Sequence, residues 1–90
     1  AAGADEPLRP PIARGLAVLH LRGARPGWVE LDVRVDAGGR VTDARPAAGE
    51  ADSATVAEAV RAARAMRYLP ALLGGRPVAV WCRQRLEISR

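Results

Sequence analysis

Lysine and phenylalanine are missing from these 90 residues, cysteine and histidine occur once each, and aromatic side chains make up only 3%. Each shortage closes something off. With Trp28, Trp81 and Tyr68 as the only aromatics, a core has to be assembled from Val, Leu, Ile and Ala, which requires close packing more than bulk. A lone Cys82 makes no internal disulfide, and on the apolar side of the last expected strand it reads as a buried free thiol. His20 has no second ligand of its kind and reads as a surface or boundary residue, so no metal is expected. One His, one Cys, one Tyr and scattered carboxylates do not bring a nucleophile and base together, so neither enzymatic activity nor a cofactor is expected. The Gly38-Gly39 and Gly74-Gly75 pairs read as turns, because neither runs directly into a helix that could cradle phosphate. No apolar run has membrane-spanning length.

What is abundant is arginine. The net charge of +4 is carried without any lysine, and the Arg residues are spread along the chain rather than gathered into a block. Such a bias fits GC-rich coding better than selection for phosphate binding, and diffuse basicity suits acidic partners in general. A chain of this length makes one domain with a small core.

Residues 1–11 carry Pro7, Pro10 and Pro11 among small and charged residues, so they read as an extended arm at the end of a linker, with the domain proper over 12–90. From Ile12 to Arg22, Ile12, Leu16 and Leu19 have helical spacing, while Leu19 and Leu21 flanking His20 fit a strand. The expectation is a short helix, with a strand as the alternative. Gly23 to Gly27 is turn-rich. Trp28 to Val35 then alternates cleanly, with Val29, Leu31, Val33 and Val35 on one face and Trp28, Glu30, Asp32 and Arg34 on the other. Asp36-Ala37-Gly38-Gly39 and a second extended run around Val41 make this a β-hairpin.

Asp52 and Ser53 are candidate caps for a helix over about 54–67 with Val56, Ala59, Val60, Ala63 and Met66 along one stripe. Its Glu58 lies near the start, and Arg61, Arg64 and Arg67 lie towards the end, as the macrodipole prefers. Pro70 blocks its continuation. After Gly74-Gly75, Val78 to Ile88 alternates as a final strand that must join the hairpin antiparallel. The expected fold is α+β: a small three-stranded antiparallel sheet packed on one face by a helix, preceded by the short N-terminal helix or strand. On the other face Trp28 and Trp81 either adjoin as an exposed apolar patch or cover the sheet against the N-terminal segment or a dimer mate.

Gly27-Trp28-Val29, Gly39-Arg40-Val41, Met66-Arg67-Tyr68-Leu69-Pro70-Ala71 and Gly75-Arg76-Pro77-Val78, in this order over residues 27–88, resemble the C-terminal periplasmic domain of the TonB energy transducers. The resemblance implies a mechanical coupling role. Proteins of that family are anchored in the inner membrane by an N-terminal helix, cross the periplasm on a proline-rich linker and associate with ExbB and ExbD. Their C-terminal domain grips a plug or N-terminal segment of an outer-membrane receptor and opens it for siderophores or vitamin B12. By that resemblance the chain is the periplasmic end of a longer anchored protein. By the same resemblance Arg9 and Pro10 in the arm are candidate receptor contacts, although the arm departs from the family pattern, which often has an aromatic immediately before a proline where this chain has Arg9.

The residues themselves lead to a compatible mechanism. An alternating strand at a sheet edge offers unpaired N–H and C=O groups to which an extended peptide can add. Val80, Trp81, Cys82, Arg83, Gln84, Arg85 and Leu86 would supply that ladder, and Trp81, Arg83 and Arg85 would set partner choice. The alternatives are an ordinary strand whose edge pairs with a second copy in a dimerisation domain of another envelope or secretion complex, and an Arg-rich nucleic-acid-binding module. The second lacks interleaved aromatics and a concentrated basic stripe.

Overall fold

The structure, a computed structural model, describes residues 7–15 and 17–90. In chain order the elements are β1 (Leu8–Arg9), β2 (Ile12–Arg14), β3 (Val18–His20), β4 (Gly27–Val35), β5 (Val41–Glu50), α1 (Ser53–Ala65), β6 (Arg67–Leu69), β7 (Ala71–Leu73), β8 (Arg76–Val78) and β9 (Val80–Ser89). The fold is α+β, with one helix among the described residues and the strands divided among several sheets.

The centre is the hairpin of β4 and β5, and its turn is built by Asp36. The Asp36 carboxylate accepts from the backbone N–H of Gly38 and of Arg40, both at 2.9 Å, while Gly39 N–H donates to Asp36 O at 3.0 Å. Gly39 has φ +82°, and a Cβ there would stand 2.0 Å from Tyr68 O. Only glycine lets the turn sit against β6 in this way. Tyr68 N–H donates to Gly39 O at 2.9 Å, so turn and β6 are locked together.

The apolar face of β4 forms the core. Val29, Leu31, Val33 and Val35 are the largest fully buried side chains, each contributing roughly 1.5–3 kcal/mol by leaving water. Helix α1 lies over β4 and β5 through Thr55, Ala59 and Ala63, whose small side chains allow a close approach. Asp52 caps the helix by accepting from Thr55 N–H at 2.8 Å, and that bond holds its carboxyl below the usual carboxylate range. The helix ends at Ala65, because Met66 is already extended with ψ 154° and Arg67 begins β6. Pro70, expected as the stop, lies between β6 and β7. What ends the helix is the demand for extended chain at β6, which pairs with β2 and bridges Arg40.

The N-terminal region departs most from expectation. The described residues of 12–22 hold two short strands and no helix: β2 pairs antiparallel with β6, and β3 pairs parallel with β9. Leu16, a member of the expected helical stripe, lies outside the described residues, as do residues 1–6 of the expected arm. Gly15, with φ +97°, turns the chain between β2 and β3. Two open sheet edges, on β6 and on β9, outcompete the weak propensity of a short helix by offering it ladder partners. The central sheet therefore has four strands in the order β3-β9-β4-β5, where three were expected. The arm is also engaged, since Leu8 and Arg9 pair with Leu73 and Leu72 in a further sheet of order β1-β7-β8. The final strand begins at Val80, and Ala79 separates it from β8.

Candidate functional site

β9 pairs antiparallel with β4 from Ile88 opposite Gly27 to Val80 opposite Val35 without a register shift. Along it Trp81, Arg83, Arg85 and Glu87 are exposed, while Val80, Cys82 and Gln84 are half-buried and Leu86 and Ile88 are buried. The alternation follows from pairing with β4, whose own odd-numbered valines and leucine face the core.

The directions of the backbone groups can be read from the ends. Glu87 N–H donates to Ala17 O at 3.0 Å, and Leu21 N–H donates to Ser89 O at 2.8 Å, so Glu87 and Ser89 turn their backbone groups away from β4. With an unbroken ladder the same holds for Arg85, Arg83 and Trp81. β3 covers only Glu87 to Ser89 of that margin. Among the described residues no strand pairs with β9 from Val80 to Leu86 on the side away from β4. The open stretch is about 23 Å long at the usual strand rise.

The outer face beside it is ordered by charge and stacking. Arg83 Nε donates to Asp32 Oδ1 at 2.8 Å, a bond that raises the guanidinium pKa further. Arg85 Nε donates to Glu87 Oε1 at 2.7 Å, and its guanidinium lies 4.4 Å from the centre of the Trp28 ring. Arg45 lies 4.9 Å from the centre of the Trp81 ring and pairs with Asp43 at 3.0 Å. The two indoles do not adjoin: Trp28 stands opposite Glu87 and Trp81 opposite Arg34, at different ends of the ladder. Because each of these Arg residues has a carboxylate beside it, the face is a mixed array and not a basic stripe.

On the inner face Tyr68 Oη donates to Gln84 Oε1 at 2.5 Å, and Gln84 Nε2 donates to Arg85 O at 2.8 Å. Burial, with a smaller contribution from Cys82, pushes the Tyr68 phenol up to about 12. Burial also raises the Cys82 thiol, with Asp32 adding to it, which keeps the sulfur out of its reactive thiolate form.

The expected contact residues Val80 to Leu86 thus share one strand, with Trp81, Arg83 and Arg85 on its exposed face. Leu86 is 3% exposed and turns its backbone groups to Val29 on β4, so it offers a partner neither side chain nor ladder bonds. Arg9 and Pro10 are exposed but belong elsewhere, because Arg9 pairs with Leu72 in the sheet of β1, β7 and β8 and not in the sheet that holds β9. Sequence reasoning missed the occupation of the margin by β3 and the bridge made by Gln84. The first had a signal in Leu19 and Leu21 around His20, whereas the second had none, since a lone glutamine announces no direction. Among the described residues no cluster of His, Cys, Asp and Glu could hold a metal ion, and no helix is long and apolar enough to cross a membrane. Comparison with family models, with curated proteins and with solved structures gives no match to this chain.

Proposed function

We propose that this chain is a protein-binding domain that takes an extended segment of another protein as an added strand along β9, in the manner of a TonB-like energy transducer. The observation that carries the reading is the margin from Val80 to Leu86, regular, unpaired among the described residues and flanked by exposed Trp81, Arg83 and Arg85. Main-chain hydrogen bonds from Trp81, Arg83 and Arg85 supply affinity with little demand on partner sequence, and the outer side chains choose among partners. In the transducer reading the partner is a plug or N-terminal segment of an outer-membrane receptor. ExbB and ExbD act through an inner-membrane helix and linker upstream, and the domain works in the periplasm by transmitting force.

Titration of the domain with synthetic peptides from the periplasm-facing segments of receptors encoded in the same genome, followed by tryptophan fluorescence in a Trp28→Phe background that leaves Trp81 as the reporter, tests this. At least one peptide is expected to bind, and Arg83→Pro, which removes an N–H aimed at the margin, is expected to weaken it at least tenfold while the domain stays folded. Equal binding by a folded Arg83→Pro domain sinks the ladder mechanism.

A second reading, a dimerisation domain of another envelope complex, is favoured by one observation. Ile12 and Leu69 face each other across β2 and β6 at 60% and 52% exposure. Sedimentation of the isolated domain separates the two. A tight dimer that survives Ile12→Ser but is broken by Arg83→Pro would assign the β9 margin to a second copy.

A further inference from the structure

The open margin of β9 has a defined end, and one side chain stands at it. In the parallel register of β3, Val18 is opposite Glu87 and His20 opposite Ser89. The last bond of that ladder on the β9 N-terminal side runs from Glu87 N–H to Ala17 O at 3.0 Å. One further step of the same pattern would carry a bond from Ala17 N–H to Arg85 O. That carbonyl accepts instead from Gln84 Nε2 at 2.8 Å.

Gln84 starts on the inner face of β9 and folds over the margin, which is possible only where no strand lies alongside. Its other end is fixed, because Oε1 accepts from the hydroxyl of Tyr68, a side chain 4% exposed. The two contacts orient the amide: a carbonyl accepts only, so the atom facing Arg85 O is the nitrogen, and the atom facing Tyr68 Oη is the oxygen. Gly15, with φ +97°, lies just upstream and takes the chain off towards β2.

We infer that Gln84 is a positioning residue that ends the self-occupied part of the β9 margin at Glu87 and fixes the register of a segment added to the rest. The inference rests on the reading of that margin as a docking edge. The Gln84 amide occupies the place of a neighbouring strand's N–H at Arg85 O, so the chain's own β3 stops there. An incoming segment finds N–H groups at Trp81, Arg83 and Arg85 but acceptors only at Trp81 and Arg83. It therefore docks with its ladder centred on Trp81 and Arg83 and does not slide towards Ser89.

Amide hydrogen exchange by NMR on the parent and on Gln84→Glu tests this without any partner. The carboxylate keeps an acceptor for Tyr68 Oη and removes the donor at Arg85 O. Expected are a parent in which the Gln84 side-chain NH2 exchanges at least tenfold more slowly than a solvent-exposed glutamine amide, and a variant in which the Ala17 amide becomes at least tenfold more protected as the β3 ladder gains its next bond. A freely exchanging Gln84 amide in the parent, or an Ala17 amide equally protected in both, overturns the inference. Gln84→Met, which has similar length and no donor, gives the same comparison if the carboxylate variant does not fold. Because these readings need no peptide, failure of every receptor peptide to bind while Ala17 responds as expected removes the docking function and leaves Gln84 as the stop of β3.

Discussion

The central sheet has two outer margins, and they are built in opposite ways. The margin on β5 is broken: its register with β4 shifts between Glu30 and Leu31 and again between Arg34 and Val35, Pro46 lies within it, and Gly49 takes φ +141°. The margin on β9 has none of these features, since its ladder with β4 is unshifted over its whole length. Bulges and proline are the usual means by which a protein keeps an exposed edge from pairing with another chain. One edge of this sheet is therefore protected, while the other is left regular over Val80 to Leu86 and, among the described residues, closed only at its far end by β3. Neglect of edges in general cannot explain that asymmetry, because β5 shows that the sequence protects an edge where it has to.

The sharpest way to break the comparison is to place proline on the two faces of one strand. Cys82 points its N–H to Val33 on β4, so Cys82→Pro removes a ladder bond, strands a carbonyl in the core-facing sheet and is expected to cost about 3 kcal/mol. Arg83→Pro removes a margin N–H and the solvent-exposed pair with Asp32, and should lower the denaturant midpoint far less than Cys82→Pro does. Urea unfolding of both variants checks this, and equal losses would mean that the margin of β9 is not free.

The converse experiment repairs the protected edge. Leu31 shares its ladder bonds with Gln84 on the β9 side, so its opposite number Pro46 turns its ring nitrogen outward, where an N–H would invite a partner. Pro46→Val restores that donor and adds a β-former. The expected outcome is a weight-average mass in sedimentation that rises with concentration more steeply than for the parent. An unchanged profile would assign the protection to the bulges alone.

How much of this was legible in advance depends on how local the cause is. The hairpin of β4 and β5, the capping of α1 by Asp52 and the alternation of β9 each rest on neighbours in sequence, and a period of two or an Asx cap announces them. The strands at Ile12–Arg14 and Val18–His20 do not. Their partners are Arg67–Leu69 and Glu87–Ser89; the alternation of Leu19 and Leu21 around His20 hints at a strand, but nothing in so short a run names the edge it joins at the other end of the chain. The same holds within the candidate site. That Trp81, Arg83 and Arg85 share a face follows from parity, whereas the pairing of Arg83 with Asp32 and the bridge from Tyr68 through Gln84 to Arg85 require two strands and a loop to be in place.

The smallest expected effect tests the inner support of the open margin. Tyr68→Phe removes the hydroxyl that holds Gln84 Oε1 and is expected to cost about 1 kcal/mol, the usual net value of such a bond. The pH dependence identifies the group. In the unfolded chain the phenol ionises near its ordinary value of 10.0, while in the folded state it does so at about 12, chiefly because burial penalises the phenolate. Between those values the unfolded state has already released the proton that the native state retains, so raising the pH favours unfolding. The contribution of Tyr68 is complete below pH 10 and is lost as the pH climbs towards 12. Cys82 acts with the same sign, since its thiol is also raised by burial, so the slope of the parent alone does not isolate the tyrosine. The difference between parent and Tyr68→Phe does: their stabilities should converge between pH 10 and 12, and a gap that stays constant over that interval would mean that the phenol is not held by the fold.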